Sequence, residues 1–143
     1  MNMKDLVCTS SGIIGSMIIS LLGGWDAPMQ ALIICMIIDY LSGLAVAGIF
    51  HKSKKSENGA LKSSSGLKGL CRKCMVLLII MIIAQIGRVS NVDWLRNATV
   101  IGFITNEFIS IVENAGLMGV PLPKAVYRAI DILNERSEPN EDK

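Results

Sequence analysis

The chain has 143 residues, of which 51% are apolar and 18% charged, and its formal net charge is +2. Its length suits one compact domain. The apolar residues lie in long uncharged runs, which argues against a soluble globular domain, because about 20 apolar residues in a helix are enough to cross a bilayer core.

Two apolar runs come first and predict membrane spans at about residues 6–24 and 29–50. Residues 6–25 carry no charge, and residues 27–50 carry one, Asp39. Lipid offers the backbone no hydrogen-bond partner, so each span is expected to be helical. A cleaved signal peptide is the alternative for residues 1–25, but Asp5 accompanies Lys4 and no A-x-A-like cleavage site follows. We interpret this segment as a retained first span.

Small residues recur at every fourth position of both spans. They include Gly12, Ser16, Ser20 and Gly24 in the first span, and Gly43 and Ala47 in the second. Such ridges let membrane helices approach closely. Packing against another span of the same chain and self-association between chains are both open interpretations.

Asp39 lies in the middle of the second span. A carboxylate there costs roughly 2.5–3.5 kcal/mol on insertion scales, so it is expected to face protein or water. The simpler interpretation is a hydrogen bond to another span. The functional interpretation is a polar pore or an assembly switch.

Residues 51–73 form a predicted basic loop that carries one acid, Glu57. Its seven cations are Lys52, Lys54, Lys55, Lys62, Lys68, Arg72 and Lys73. Because it follows two predicted spans, this loop is expected to lie in the cytoplasm by the positive-inside rule. Binding of nucleic acid is the less favoured interpretation of its charge. Cys71 and Cys74 form a CxxC pair, but zinc sites normally need a second ligand pair, so no metal site is predicted.

Two further spans are predicted at about 70–88 and 98–117, and they complete a transmembrane domain over residues 1–123. Residues 124–143 are predicted to form a cytoplasmic amphipathic helix and an acidic tail. An even number of spans places both termini in the cytoplasm. The fold class is therefore an all-α membrane protein with about four spans, or three if the segment 98–117 lies flat in the interface.

The fourth predicted span has one polar side at a helical repeat. That side includes Asn106, Glu107, Ser110 and Glu113. It suits either an aqueous path or partner helices. The sequence contains no recognisable nucleophile–base pair, phosphate loop or paired acid site, so neither an enzyme nor a cofactor is predicted.

Three stretches together resemble the toxin-secretion/phage-lysis holin family of Gram-positive phages and clostridial toxin loci. They are Asp39-Tyr-Leu-Ser-Gly43, the Gly-rich and basic stretch 65–73, and residues 106–124, where Glu-x-x-Ser-Ile-x-x-Asn runs into Gly-x-Pro-x-Pro. The similarity covers about residues 32–133. Asn106 departs from the aromatic residue often found there, and the first span matches only in character.

The resemblance implies a holin that accumulates in the bacterial cytoplasmic membrane as a multi-pass protein and assembles with itself. The resulting lesion would let an endolysin or a toxin cross and would trigger host lysis. The implied partners are other copies of the chain and the bilayer, with an endolysin or a toxin as the functional partner and no nucleic acid; whether an antiholin exists is left open. A small ion channel and an accessory subunit of a membrane transporter are the alternatives.

Overall fold

A computed structural model describes residues 2–52 and 63–137, with side chains described as far as residue 132. These ranges contain five α-helices: α1 (Met3–Leu21), α2 (Ala27–Gly48), α3 (Ser63–Ser90), α4 (Trp94–Leu117) and α5 (Lys124–Ser137). The predicted all-helical class is confirmed. The predicted acidic tail beyond residue 137 lies outside the described residues.

Three of these helices, α1, α2 and α3, are long and apolar enough to cross a membrane. Helix α4 has a sufficient length of 24 residues, but it does not join them, because Asn106, Glu107 and Glu113 interrupt its apolar sequence. Length and composition therefore support a membrane protein with three candidate spans, and the predicted count of four is not confirmed by this measure.

The turn between α1 and α2 begins earlier than the sequence predicts. Helix α1 ends at Leu21, and Gly23 and Gly24 follow with φ of 89° and 112°, a conformation that glycine adopts at low cost. Asp26 then caps α2, because its carboxylate accepts from the Met29 backbone N–H at 3.2 Å. Gly24 is thus a turn residue and not part of the first span.

Helix α3 is longer than the predicted third span and begins at Ser63. Its first turns pack on α2, since a Cβ placed on Gly66 or Gly69 would lie 3.6 or 3.8 Å from the Tyr40 side chain. This close approach explains why the Ser- and Gly-rich stretch is helical and not the end of a loop.

Helices α2, α3 and α4 form the bundle, with α4 packed mainly on α2 and then on α3. Its apolar core consists of Leu22, Met29, Leu32, Met36, Ile80 and Val100. Cross-helix contacts show that α2 and α4 run parallel, since residue 26 meets 96 and residue 39 meets 114. Helix α3 runs antiparallel to both, since Lys73 meets Asp39 and Glu107, whereas Ala84 lies beside Gly23 at the other end of α2. Helix α1 buries none of its residues and meets α3 near its own C-terminal end.

Candidate functional site

A cluster of charged side chains joins the three helices of the bundle. Asp39 comes from α2, Lys73 from α3 and Glu107 from α4. The Lys73 ammonium lies 2.7 Å from Asp39 Oδ2 and also contacts Glu107 Oε2. The three side chains are only 11–13% exposed. Because a buried charge is costly unless it is paired, this arrangement holds the three helices in one register.

Asn114 extends the cluster along α4. Its amide donates to Asp39 Oδ1 at 3.2 Å and to Ser42 Oγ at 2.9 Å, and the Ser42 hydroxyl donates to the Asp39 carbonyl oxygen at 3.0 Å. The amide fits because Gly43 lies opposite, where an added Cβ would be 3.7 Å from it. Gly43 and the buried Ala47 therefore belong to the packing of α2 within the chain.

Lys73 is the main difference from the sequence prediction. The sequence predicts it as a cation of the cytoplasmic basic loop at the start of the third span, but within α3 it faces two carboxylates in the bundle interior. Lys68 and Arg72 also belong to α3, on its exposed side, and Lys52 is exposed just after α2. The other predicted loop cations, Lys54, Lys55 and Lys62, lie outside the described residues.

A second polar contact lies at the end of the bundle where α4 begins, around Arg96. The guanidinium binds both oxygens of the Asp26 carboxylate, at 2.6 and 3.1 Å. It also donates to the carbonyl oxygens of Leu22 and Gly24, at 2.7 and 3.1 Å, and to Asn97 Oδ1 at 3.0 Å. These bonds use all five N–H donors of an arginine, so this buried charge is fully satisfied.

The Arg96 contact determines the chemistry of the turn beside it. Hydrogen bonds from the guanidinium hold the pKa of Asp26 below its ordinary value. Gly23 leaves room for the arginine, because an added Cβ would lie 2.6 Å from Arg96 Nε. Arg96 lies just before the predicted span 98–117, and its buried ion pair is not among the predictions from the sequence. The signal was an arginine at the start of a long apolar segment, where it needs a partner.

The end of α1 is held by polar contacts from α3. Gln85 Nε2 donates to the Leu21 carbonyl oxygen at 2.8 Å, and Arg88 Nη2 donates to that of Ser20 at 2.5 Å. These are among the carbonyls that a helix leaves without an internal partner at its C-terminus. The positive charge of Arg88 also interacts favourably with the negative end of the helix dipole. Helix α1 is therefore attached at one end only.

The predicted small-residue ridge of α1 does not pack within the chain. Gly12, Ser16 and Ser20 are exposed, and a Cβ added to Gly12 would meet nothing within 4 Å. Ser16 donates its hydroxyl hydrogen back to the Ile13 carbonyl oxygen at 2.9 Å. The small residues of α2 therefore pack against other helices of the same chain, whereas those of α1 are exposed.

The predicted polar side of α4 is divided between interior and surface. Glu107 and Asn114 face the bundle, Ser110 is half-buried, and Asn106 and Glu113 are exposed. Asn114 belongs to the polar cluster, although it is not among the site residues predicted from the sequence. Within the described ranges, no group of three or more His, Cys, Asp or Glu side chains could hold a metal ion.

Comparison with known proteins adds an independent line of evidence. The model of the bacteriophage holin family matches residues 16–135. An uncharacterised protein of Halalkalibacterium halodurans is 33% identical over 138 residues, 92% of this chain and 96% of that protein. An uncharacterised protein of Clostridium perfringens is 30% identical over 136 residues, with 92% and 95% covered. A protein of Bacillus phage phi105 named a probable holin is 25% identical over 116 residues, 80% of each chain. No solved structure matches.

Proposed function

This chain belongs to the bacteriophage holin family, and from that premise we propose that it acts as a holin. It accumulates in the cytoplasmic membrane of a bacterium, assembles with other copies and opens a lesion. The lesion lets a cell-wall hydrolase or a toxin cross, and lysis follows. The protein performs no bond-breaking chemistry, and its action is a change of assembly within lipid.

A four-span topology forms part of this proposal. Helix α4 runs alongside α2 from the Arg96–Asp26 pair to the Asn114–Ser42 hydrogen bond. Because the two helices cover the same depth, α4 crosses the bilayer together with α2. Its polar content is accommodated because Glu107 and Asn114 have partners on α2 and α3. With four crossings, both termini lie on the same side of the membrane as the basic loop, residues 51–73, and the positive-inside rule makes that side cytoplasmic.

The observation that carries the proposal is the uncovered first helix. Helix α1 is apolar enough to cross the membrane, yet none of its residues is buried. Its ridge of Gly12, Ser16 and Ser20 offers a second copy the close approach that small residues permit. Because α1 contacts the bundle near its C-terminal end, the rest of this span has surface available to other copies.

The experiment replaces Gly12 and Ser16 with Leu and measures lysis time in an induced host together with cross-linked oligomers. We expect delayed lysis and fewer oligomers, because the added side chains separate the helices. Ile14→Leu with Ile18→Leu is the matched control, since it has the same spacing on the opposite side of α1. Unchanged timing and unchanged oligomers in the Gly12/Ser16 variant would remove this ridge from the proposal.

Two other functions give different results in the same host. A discrete ion channel would conduct selected ions without passing a co-expressed cell-wall hydrolase. An accessory subunit of a transporter would purify with a larger partner and would not be toxic when expressed. Passage of the folded hydrolase, assayed by release of cell-wall fragments, distinguishes the holin from both.

A further inference from the structure

The outer side of α4 carries polar residues that the bundle does not cover. Asn106 and Glu113 are exposed and lie seven residues apart, which puts them on one side of the helix. Among the described residues neither side chain has a hydrogen-bond or ion-pair partner. Gly102 and Gly116 lie on the same side, and a Cβ on either would meet nothing within 4 Å.

Glu113 lies at the depth of the uncharged C-terminal part of α2. It is six residues, or about 9 Å, from Glu107 along α4, whereas α2 continues for nine residues, about 14 Å, beyond Asp39. Helix α2 carries no charge over that distance. A carboxylate facing lipid there is unfavourable, so the outer side of α4 needs a polar partner.

The exposed side of α3 provides one charge of the opposite sign, Lys68, at nearly the same depth. Lys68 and Arg72 are exposed and lie on this side, away from Lys73. Because α3 and α4 are antiparallel and Lys73 meets Glu107, Lys68 lies about 7.5 Å and Glu113 about 9 Å from that contact towards the same end. The two residues differ in depth by about one residue rise.

The two surfaces are also complementary in shape, because large apolar side chains of α3 lie at the same depths as small residues of α4. Leu78 lies five residues beyond Lys73, and Gly102 lies five residues beyond Glu107 towards the same end. Ile82 and Ala98 are each nine residues away in that direction. Leu78 and Ile82 are 50% and 59% exposed, whereas Gly102 and Ala98 leave space at the same depths.

We propose that the outer side of α4 docks on the exposed side of α3 of a second copy, so that Glu113 pairs with Lys68 of its neighbour. Copies inserted in the same orientation are related by rotation about the membrane normal, which preserves depth. The two surfaces are different, so the interface is heterologous and generates rings or open chains. This inference rests on the proposed four-span assembly and names one of its contacts.

The test uses full-length chains in which Cys8, Cys35, Cys71 and Cys74 are replaced by Ala. Two differently tagged chains, one with Glu113→Cys and one with Lys68→Cys, are co-expressed and treated in membranes with a short bismaleimide. We expect mixed dimers, at least about tenfold above those of either chain expressed alone, because only the mixed pair meets across a heterologous interface. Asn97→Cys paired with Lys68→Cys is the depth-mismatched control and should give none.

Other results would overturn the inference. Dimers between two Glu113→Cys chains would indicate a symmetric contact. Labelling of Glu113→Cys by an impermeant thiol reagent, without mixed dimers, would indicate that α4 lines water. Neither labelling nor cross-linking would indicate that this side of α4 faces lipid.

Charge reversal tests the same contact with the native cysteines in place. Lys68→Glu or Glu113→Lys alone should lower cross-linked oligomer on the order of tenfold, because like charges then meet. A chain carrying both substitutions should recover it, and failure to recover would contradict the pairing. If the unmodified chain passes no hydrolase while mixed dimers form, the proposed function fails and this contact stands. If it passes hydrolase while mixed dimers are absent, only this contact fails.

Discussion

Replacing Lys73 with methionine removes the cation that contacts Asp39 and Glu107 in the middle of the bundle. Methionine fills much of the same volume and is apolar, so the main effect is to leave two poorly hydrated carboxylates close together. The side chains of Asp39 and Glu107 are 11% and 13% exposed, so water replaces the lost ammonium poorly.

Removing one partner of a buried ion pair costs about 3–5 kcal/mol. The lower value alone reduces the ratio of folded to unfolded chain on the order of a hundredfold. Lys68→Met is the matched control, because it removes a lysine from the exposed side of the same helix. In a monomeric chain we expect its effect to stay within about 0.5 kcal/mol.

The assay follows the helical circular dichroism of the detergent-solubilised monomer during titration with a denaturing detergent. A double-mutant cycle of Lys73→Met with Glu107→Gln should give a coupling energy of about 0.5–3 kcal/mol. The control cycle of Lys68→Met with Glu113→Gln should give about zero, because those residues do not meet within one chain. If Lys73→Met costs less than about 1 kcal/mol, or the first cycle is additive, the cluster does not hold the helices together and the reasoning is refuted.

The next predictions concern the Arg96 contact and Asp39. Gly23→Ala should destabilise the monomer by at least about 1–2 kcal/mol, because Gly23 has a left-handed backbone and Arg96 occupies the space of the new methyl group. Gly102→Ala, where the new methyl group meets open space, is the control in the same unfolding assay. Equal effects of the two substitutions would contradict the steric argument. The pKa of Asp26 is lowered by Arg96, so the stabilisation by this pair is complete above the ordinary aspartate value of about 3.9 and is lost as pH falls through the lower folded value. The stability difference between the native chain and Asp26→Asn should therefore stay constant from about pH 5 to 8 and shrink only in stronger acid; a change near neutral pH would refute the assignment. Asp39→Asn should retain the Lys73–Glu107 contact and alter lysis timing, and lysis on schedule would show that ionisation of Asp39 is dispensable.

The length of the uncharged apolar runs was sufficient to predict a membrane protein without knowledge of any tertiary contact. The uncharged run at residues 6–25, the nearly uncharged run at 27–50 and the third predicted span at about 70–88 predicted helices for lipid, and three helices with that character are present. The helix boundaries were less predictable. Helix α3 begins in a Ser- and Gly-rich stretch because Gly66 and Gly69 pack against Tyr40 of another helix.

The order of residues alone requires the long apolar segments to become helices in a membrane, because backbone polar groups have no other partner in lipid. It also marked Asp39 as a residue in need of a partner, because an isolated charge in a span is costly. Only the tertiary structure decided which partner. Lys73 lies 34 residues from both Asp39 and Glu107, and Arg96 lies 70 residues from Asp26. Helical periodicity orders side chains around one helix, whereas the packing of antiparallel and parallel helices determines which charges meet at the same depth.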